Sequence, residues 1–244
     1  PNQATTVTNY LTDIVGSYNA SLAQASGQPL QIGTQVRMLY NPELRGAPNF
    51  VPGVMALVLM LVCTMMTSVA IVREKELGTM EILLVSPFKT IYIIISKLMP
   101  NLIISIINLF IILALSDVFL DLPVKGSTWL LLLDSIFFIL TSLSIGLLLS
   151  INARTQQAAM MNSLMGMMLP TMLLTGFLFP IENMPLPLQW LSNLVPSRWY
   201  FICVKRVMLE GLGFTAVWKE TLILVGMSLT LLAISLRKFK IRLQ

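Results

Sequence analysis

Five long apolar runs, at 51 to 72, 90 to 115, 129 to 151, 158 to 180 and 218 to 236, divide the chain, and polar residues collect between them. A helix needs about 20 mainly apolar residues to cross roughly 30 Å of hydrocarbon. The runs therefore predict five membrane spans in an all-α polytopic protein. The first 50 residues are polar by contrast. Val7, Leu11, Ile14, Val15, Tyr18 and Leu22 recur there at helical spacing and predict a helix over 5 to 25, and "TQVRMLYNP" beyond the break at "GQP" reads as a short strand. So short a segment makes a marginal core alone. Residues 1 to 50 are expected to be the C-terminal end of an extracytoplasmic domain, and 51 to 244 the transmembrane domain.

Residues 180 to 213, "PIENMPLPLQWLSNLVPSRWYFICVKRVMLEGLG", are apolar but cut by Pro180, Pro185, Pro187 and Pro196. The longest uninterrupted piece, 197 to 210, makes a helix of about 21 Å, too short to span. The 181 to 217 region is predicted to form short re-entrant or interfacial helices on the outer side, with Trp190, Trp199 and Tyr200 at headgroup depth and Gly211 as the stop.

Composition agrees with the pattern: 56% of residues are apolar, 11% are charged and the mean hydropathy is +0.81, against about 25% charge in ordinary soluble domains. The net charge of +5 does not point to nucleic acid, because the basic residues sit at span ends and in loops. Arg237, Lys238, Lys240 and Arg242 follow the last span and make the C-terminus cytoplasmic. Counting back, the 73 to 89 loop and "NARTQQ" lie inside, while 1 to 50, 116 to 128 and 181 to 217 lie outside. Nine Lys/Arg then flank the cytoplasmic ends, against seven outside. The chain opens "PNQATTVTNYLTDIVG", without an export signal of its own, so at least one further span is expected before Pro1. There is no histidine, and Cys63 and Cys203 both lie in apolar contexts. No disulfide framework, metal site or catalytic centre of the usual soluble kind is predicted.

Polar residues inside spans are costly and tend to face a bundle interior or a water-filled route. Asn101, Asn108 and Asn162 are the candidates for a translocation path, beside Lys97, Pro100 and Pro170. The plainer alternative has Lys97 snorkelling to the inner interface and the asparagines bonding neighbouring helices. Asp134, close to the outer end of its span, is expected to be interfacial.

The loop "REKELGTMEILLVSPF", 73 to 88, carries three glutamates where inner loops usually gain Lys and Arg. If 73 to 85 is one helix, Glu74, Gly78 and Glu81 form one stripe and Leu77, Met80 and Leu84 an adjacent one, ending at Ser86-Pro87. Either its acids pair with Arg73 and Lys75 in a solvated connector, or the surface attracts a basic protein partner.

"YNPELR" before "VPGVMALVL", then "VREKELGTMEILLVSP", "SKLMP", "QQAAMM", "TGFLFPIENMP" and "VPSRWY", occur in the order found in the permease subunits of type 2 ATP-binding-cassette exporters, bacterial branch with a large extracytoplasmic domain. The chain resembles that family over nearly its whole length. The resemblance implies a bacterial inner-membrane, multi-pass permease that dimerises with an identical or homologous permease chain amid membrane lipid. It implies that Arg73, Glu74, Glu76, Gly78, Thr79 and Glu81 form a coupling helix docking on a cytoplasmic ATPase. It also implies that Gly176, Phe177, Pro180, Glu182, Met184 and Pro185 form the outer turn near the substrate exit. Thr175, Ile82 and Glu210 depart from the common pattern.

No G-x-x-x-x-G-K-[ST] phosphate loop occurs in these residues. The chain is expected to bind no cofactor, with ATP and Mg held by the partner ATPase. The alternatives are a secondary carrier or channel, which the lack of an acidic residue deep in a span disfavours, and an intramembrane enzyme using Ser96 and Lys97. Adjacent helical positions point about 100° apart, which disfavours the second.

Overall fold

The computed structural model describes residues 2 to 26, 47 to 78 and 90 to 243. They fall into two compact units, Pro1–Pro48 and Asn49–Gln244. Helix α1 (Asn2–Ser26) matches the predicted helix of the first unit, and Val7, Leu11, Ile14 and Tyr18 are exposed along it. The predicted strand lies outside the described residues.

The elements that follow are α2 (Ala47–Glu76), α3 (Thr90–Leu120), α4 (Thr128–Asn152), α5 (Gln156–Leu174), a 3-10 turn Ile181–Asn183, α6 (Leu186–Ser192), α7 (Pro196–Val204), a π turn Lys205–Leu209, and α8 (Phe214–Leu243). Among the described residues, four helical segments are long and apolar enough to cross a membrane: Phe50–Glu76, Ile94–Leu120, Thr128–Asn152 and Phe214–Lys238.

The span predicted at 158 to 180 ends earlier than expected. Its helix, α5, closes at Leu174 after 19 residues, about 28 Å and so close to one hydrocarbon thickness, though it is not among those four. Gln156, Gln157, Asn162 and Thr171 dilute its hydropathy. Gly176, at φ +85, turns the chain away just past its end, so the apolar run "TGFLFP" is not helix. In the proline-rich region the predicted short helices are present: α7 passes into the π turn, and Gly211 at φ +68 follows its end.

Helix α4 is the hub. In the most apolar stretch of each helix, 67% of α4 is buried inside the protein, against 17% of α3 and 22% of α8. One core cluster joins Met55, Leu59 and Met60 of α2 to Leu131 and Phe138 of α4, Tyr200 and Val204 of α7, and Leu224 of α8. A second joins Cys63 and Ile71 to Ile94, Leu98, Ile139, Leu143 and Leu147. Gly146 lets α2 and α4 approach closely, since a Cβ there would stand 2.6 Å from the Thr64 carbonyl oxygen. Buried hydroxyls on α4 are satisfied within the helix: Ser135, Thr141, Ser142 and Ser144 donate to carbonyls four residues back at 2.7 to 2.9 Å.

Two residues of this region are covered by protein. Tyr200 is fully buried: its ring stacks on Phe138 at 4.2 Å, and its hydroxyl shares a 2.8 Å hydrogen bond with Ser135 Oγ. Asp134, expected at the interface, is 1% exposed and faces Thr221 and Cys203. It follows that α7 and α8 cover this side of α4, which hydropathy along a single segment does not register.

Candidate functional site: the two ends of helix α2

Of the 73 to 85 segment, residues 73 to 78 are described, and they do not continue as one helix. Helix α2 runs on to Glu76, and Gly78 then takes φ +70, a left-handed stop that glycine adopts without Cβ strain. Thr79 and Glu81 lie outside the described residues. Arg73, Glu74, Lys75 and Glu76 are therefore the last turn of a span helix.

Three consecutive side chains of that turn reach three different helices. Glu74 pairs with Lys97 of α3. Lys75 Nζ donates to the Ser150 carbonyl at 2.6 Å, one of the last carbonyls of α4, which have no intrahelical donor. Glu76 Oε2 accepts from Gln156 Nε2 at 2.7 Å and from the Gln156 backbone N–H at 3.4 Å, at the first residue of α5. A cation thus meets a helix C-terminus and an anion a helix N-terminus, both favoured by the helix dipole. Thr155 Oγ1 completes the α5 cap by accepting from the Ala158 N–H at 3.2 Å. Arg73 and Leu77, about 40° apart around the helix axis, point away from these contacts and are exposed.

At the other end of α2, the Phe177 ring lies against Gly53 and sits 5.6 Å, centroid to centroid, from the ring of Phe50. The turn after α5 is pinned to α7 by Thr175 Oγ1 and Ser197 Oγ, 3.0 Å apart. Pro180 precedes the 3-10 turn and Pro185 caps α6, while Glu182 is exposed. Gln189 Nε2 donates to the Met184 carbonyl at 2.8 Å, and Arg198 donates to Asn193 Oδ1 at 2.7 Å and to Ser192 Oγ. Gly176, Phe177, Pro180, Met184 and Pro185 are thus joined in one cap at this end of α2. From Gly53 to Glu74 along α2 is about 32 Å, close to one hydrocarbon thickness.

The candidate path residues are more scattered. Asn101 donates to Thr67 Oγ1 at a long 3.4 Å, Asn108 is half-buried on α3, and Asn162 is exposed on α5. Lys97, the lysine of the enzyme alternative, is engaged by Glu74. Asp134 is a carboxyl shielded by protein near one end of a span helix that starts at Thr128, which leaves the objection to simple ion coupling, the lack of an acidic residue deep in a span, in place. Among the described residues, no group of three or more His, Cys, Asp or Glu side chains is placed to hold a metal. Sequence reasoning overlooked Gly53, Gln156 and Arg198 and paired Lys75 with the acids of its own loop, where the structure also has it donating to the Ser150 carbonyl; these roles depend on contacts between distant segments. The one available signal was Arg198, a charge inside an apolar, proline-cut stretch.

Residues 1 to 237 match the family model described as "ABC-2 family transporter protein". The chain is 34% identical over 219 residues to the probable multidrug ABC transporter permease YbhR of Escherichia coli K12, covering 90% of this chain and 59% of that protein. It is 27% identical to the probable multidrug ABC transporter permease YbhS of the same organism, over all of this chain and 65% of the relative. Against the inner membrane transport permease YhhJ the identity is 29%, over 98% of this chain and 64% of the relative. The chain thus spans about 59 to 65% of the length of these curated relatives. No solved structure matches.

Proposed function

The chain belongs to the ABC-2 family of transporter proteins, and on that premise we propose that it serves as the permease of an ATP-driven exporter. Two permease chains, identical or homologous, enclose the substrate route. Separate cytoplasmic ATPase subunits, which hold the ATP and Mg, engage the 73 to 89 loop, with Arg73, Gly78, Thr79 and Glu81 at the contact. The outer cap around Gly176 and Phe177 lies near the exit, with Asn101, Asn108 and Asn162 along the route. The C-terminus is cytoplasmic and residues 1 to 50 are extracytoplasmic.

The observation that carries this reading is the last turn of α2. It is held from three sides by α3, α4 and α5 and leaves Arg73 and Leu77 exposed for a partner. Two relatives bear the name of probable multidrug permeases, and amphipathic drugs are the substrate class to test first. In membranes holding the full-length chain and its cognate ATPase, Arg73→Glu with Glu81→Arg is expected to cut co-purification of the ATPase about tenfold, or roughly 1.4 kcal/mol, with insertion unchanged. Unaltered co-purification contradicts the docking role.

A secondary carrier is the second reading, and Asp134, a shielded carboxyl near a span end, is the feature that favours it. Drug transport in vesicles that follows an ion gradient without ATP would select it.

A further inference from the structure

We propose that Lys97 and Gln156, with the Ser150 carbonyl, are positioning residues for energy transfer: they clamp the last turn of α2 so that a push on it moves α3, α4 and α5 together. The inference rests on the docking role proposed above and adds the route by which that push leaves the loop.

Successive helical residues are rotated by 100°, so Glu74, Lys75 and Glu76 project over most of the helix circumference. Each is met by a different element: Lys97 of α3, the Ser150 carbonyl of α4, and Gln156 of α5. Two of the contacts are made to helix termini, Lys75 to a carbonyl and Glu76 to a first-turn N–H. These are backbone groups that cannot swing aside as a long side chain can, so a displacement of α2 is passed to the helix itself. The Glu74–Lys97 pair is shielded, with side-chain exposures of 19% and 38%, and is less screened than a fully exposed surface pair. The remaining quadrant carries Arg73 and Leu77. The turn is thus gripped on three sides and open on the fourth, the geometry of a lever end.

From this end α2 runs without interruption to Gly53, where Phe177 of the outer turn rests on it. Motion of the clamp is therefore expected to reach the outer cap. A loop tethered to α2 alone would move one helix and leave α5, which leads into that cap, behind.

The test uses the full-length chain with its cognate ATPase in nanodiscs, with a bimane label on Leu178→Cys, a position 46% exposed beside Phe177. The probe is ATP with vanadate. With the clamp intact, nucleotide trapping is expected to shift bimane emission. Lys97→Met and Gln156→Leu should each reduce that shift about fivefold, the low end of a coupling free energy between sites, while the ATPase still co-purifies. The exchanged pair Glu74→Lys with Lys97→Glu should recover most of the shift, which a merely structural loss would not. A full shift in both single variants, or no recovery in the exchanged pair, overturns the inference while docking stands. Loss of ATPase co-purification from the unmodified chain instead removes the docking role itself.

Discussion

Phe177 occupies the space a side chain at position 53 would need: a Cβ built on Gly53 falls 1.9 Å from Phe177 Cδ2. Gly53→Ala must displace the ring, and overpacking of this kind costs about 1 to 3 kcal/mol. The thermal midpoint in detergent is expected to fall. Adding Phe177→Ala should restore part of the loss, and the signature is a double-mutant cycle with a favourable interaction term above about 0.5 kcal/mol.

Gly176 closes α5 at φ +85, and a Cβ there would meet Ile181 Cδ1 at 3.2 Å. Gly176→Ala should cost about 1 to 2 kcal/mol from the left-handed backbone alone. Gly16 and Gly226 have nothing within 4 Å of a built Cβ and lie inside helices, so Gly226→Ala should leave the midpoint unchanged or raise it by up to about 1 kcal/mol. Parallel melts of the two variants check both statements.

Tyr200 joins its hydroxyl to Ser135 Oγ at 2.8 Å inside the core. Tyr200→Phe removes that bond and keeps the stacking on Phe138, so a loss of about 1 kcal/mol is expected. Because Ser135 Oγ also donates to the Leu131 carbonyl at 2.7 Å, the serine is not left stranded. Denaturant titration of Tyr200→Phe and Tyr200→Ala should separate the hydroxyl from the ring, with the larger loss, about 3 to 5 kcal/mol, for alanine.

Asp134 is 1% exposed, and neither of its carboxyl oxygens has a hydrogen bond of good geometry. Replacing an unsatisfied buried polar group by an apolar one of similar size is near neutral or stabilising. Asp134→Leu is therefore expected to hold or raise the thermal midpoint. A fall exceeding about 1 kcal/mol would show that the carboxyl is partnered, and would strengthen the ion-coupled reading if an ion gradient also drives transport.

Much of this architecture was legible from apolar run lengths, because a helix that buries its whole circumference in lipid or protein must be apolar throughout. That is why α2, α3, α4 and α8 emerged from the pattern. Helix α5 was mis-bounded because "TGFLFP" is apolar for packing on Gly53 and α7, and hydropathy does not distinguish a packed turn from a helix. The burial of Tyr200 and Asp134 is not legible for the same reason: depth in a span and burial by neighbouring helices are different quantities. At the last turn of α2, Glu74 and Glu76 stand out by charge, yet their partners Lys97 and Gln156 lie 23 and 80 residues away. Gly78 reads from spacing as part of one stripe with Glu74 and Glu81, whereas its φ of +70 closes α2, a backbone state that hydropathy and charge do not register.

The exposed face of the last α2 turn is where we propose that the ATPase bears on this permease. A photoreactive residue placed at Leu77 of the full-length chain, 65% exposed, tests this in native membranes. A crosslink to the ATPase is expected from Leu77 and none from the same residue at Trp190 on α6, 78% exposed in the region proposed to lie outside. Contradiction would come from an assembled complex in which Leu77 gives no ATPase crosslink, or in which Trp190 gives one of equal yield.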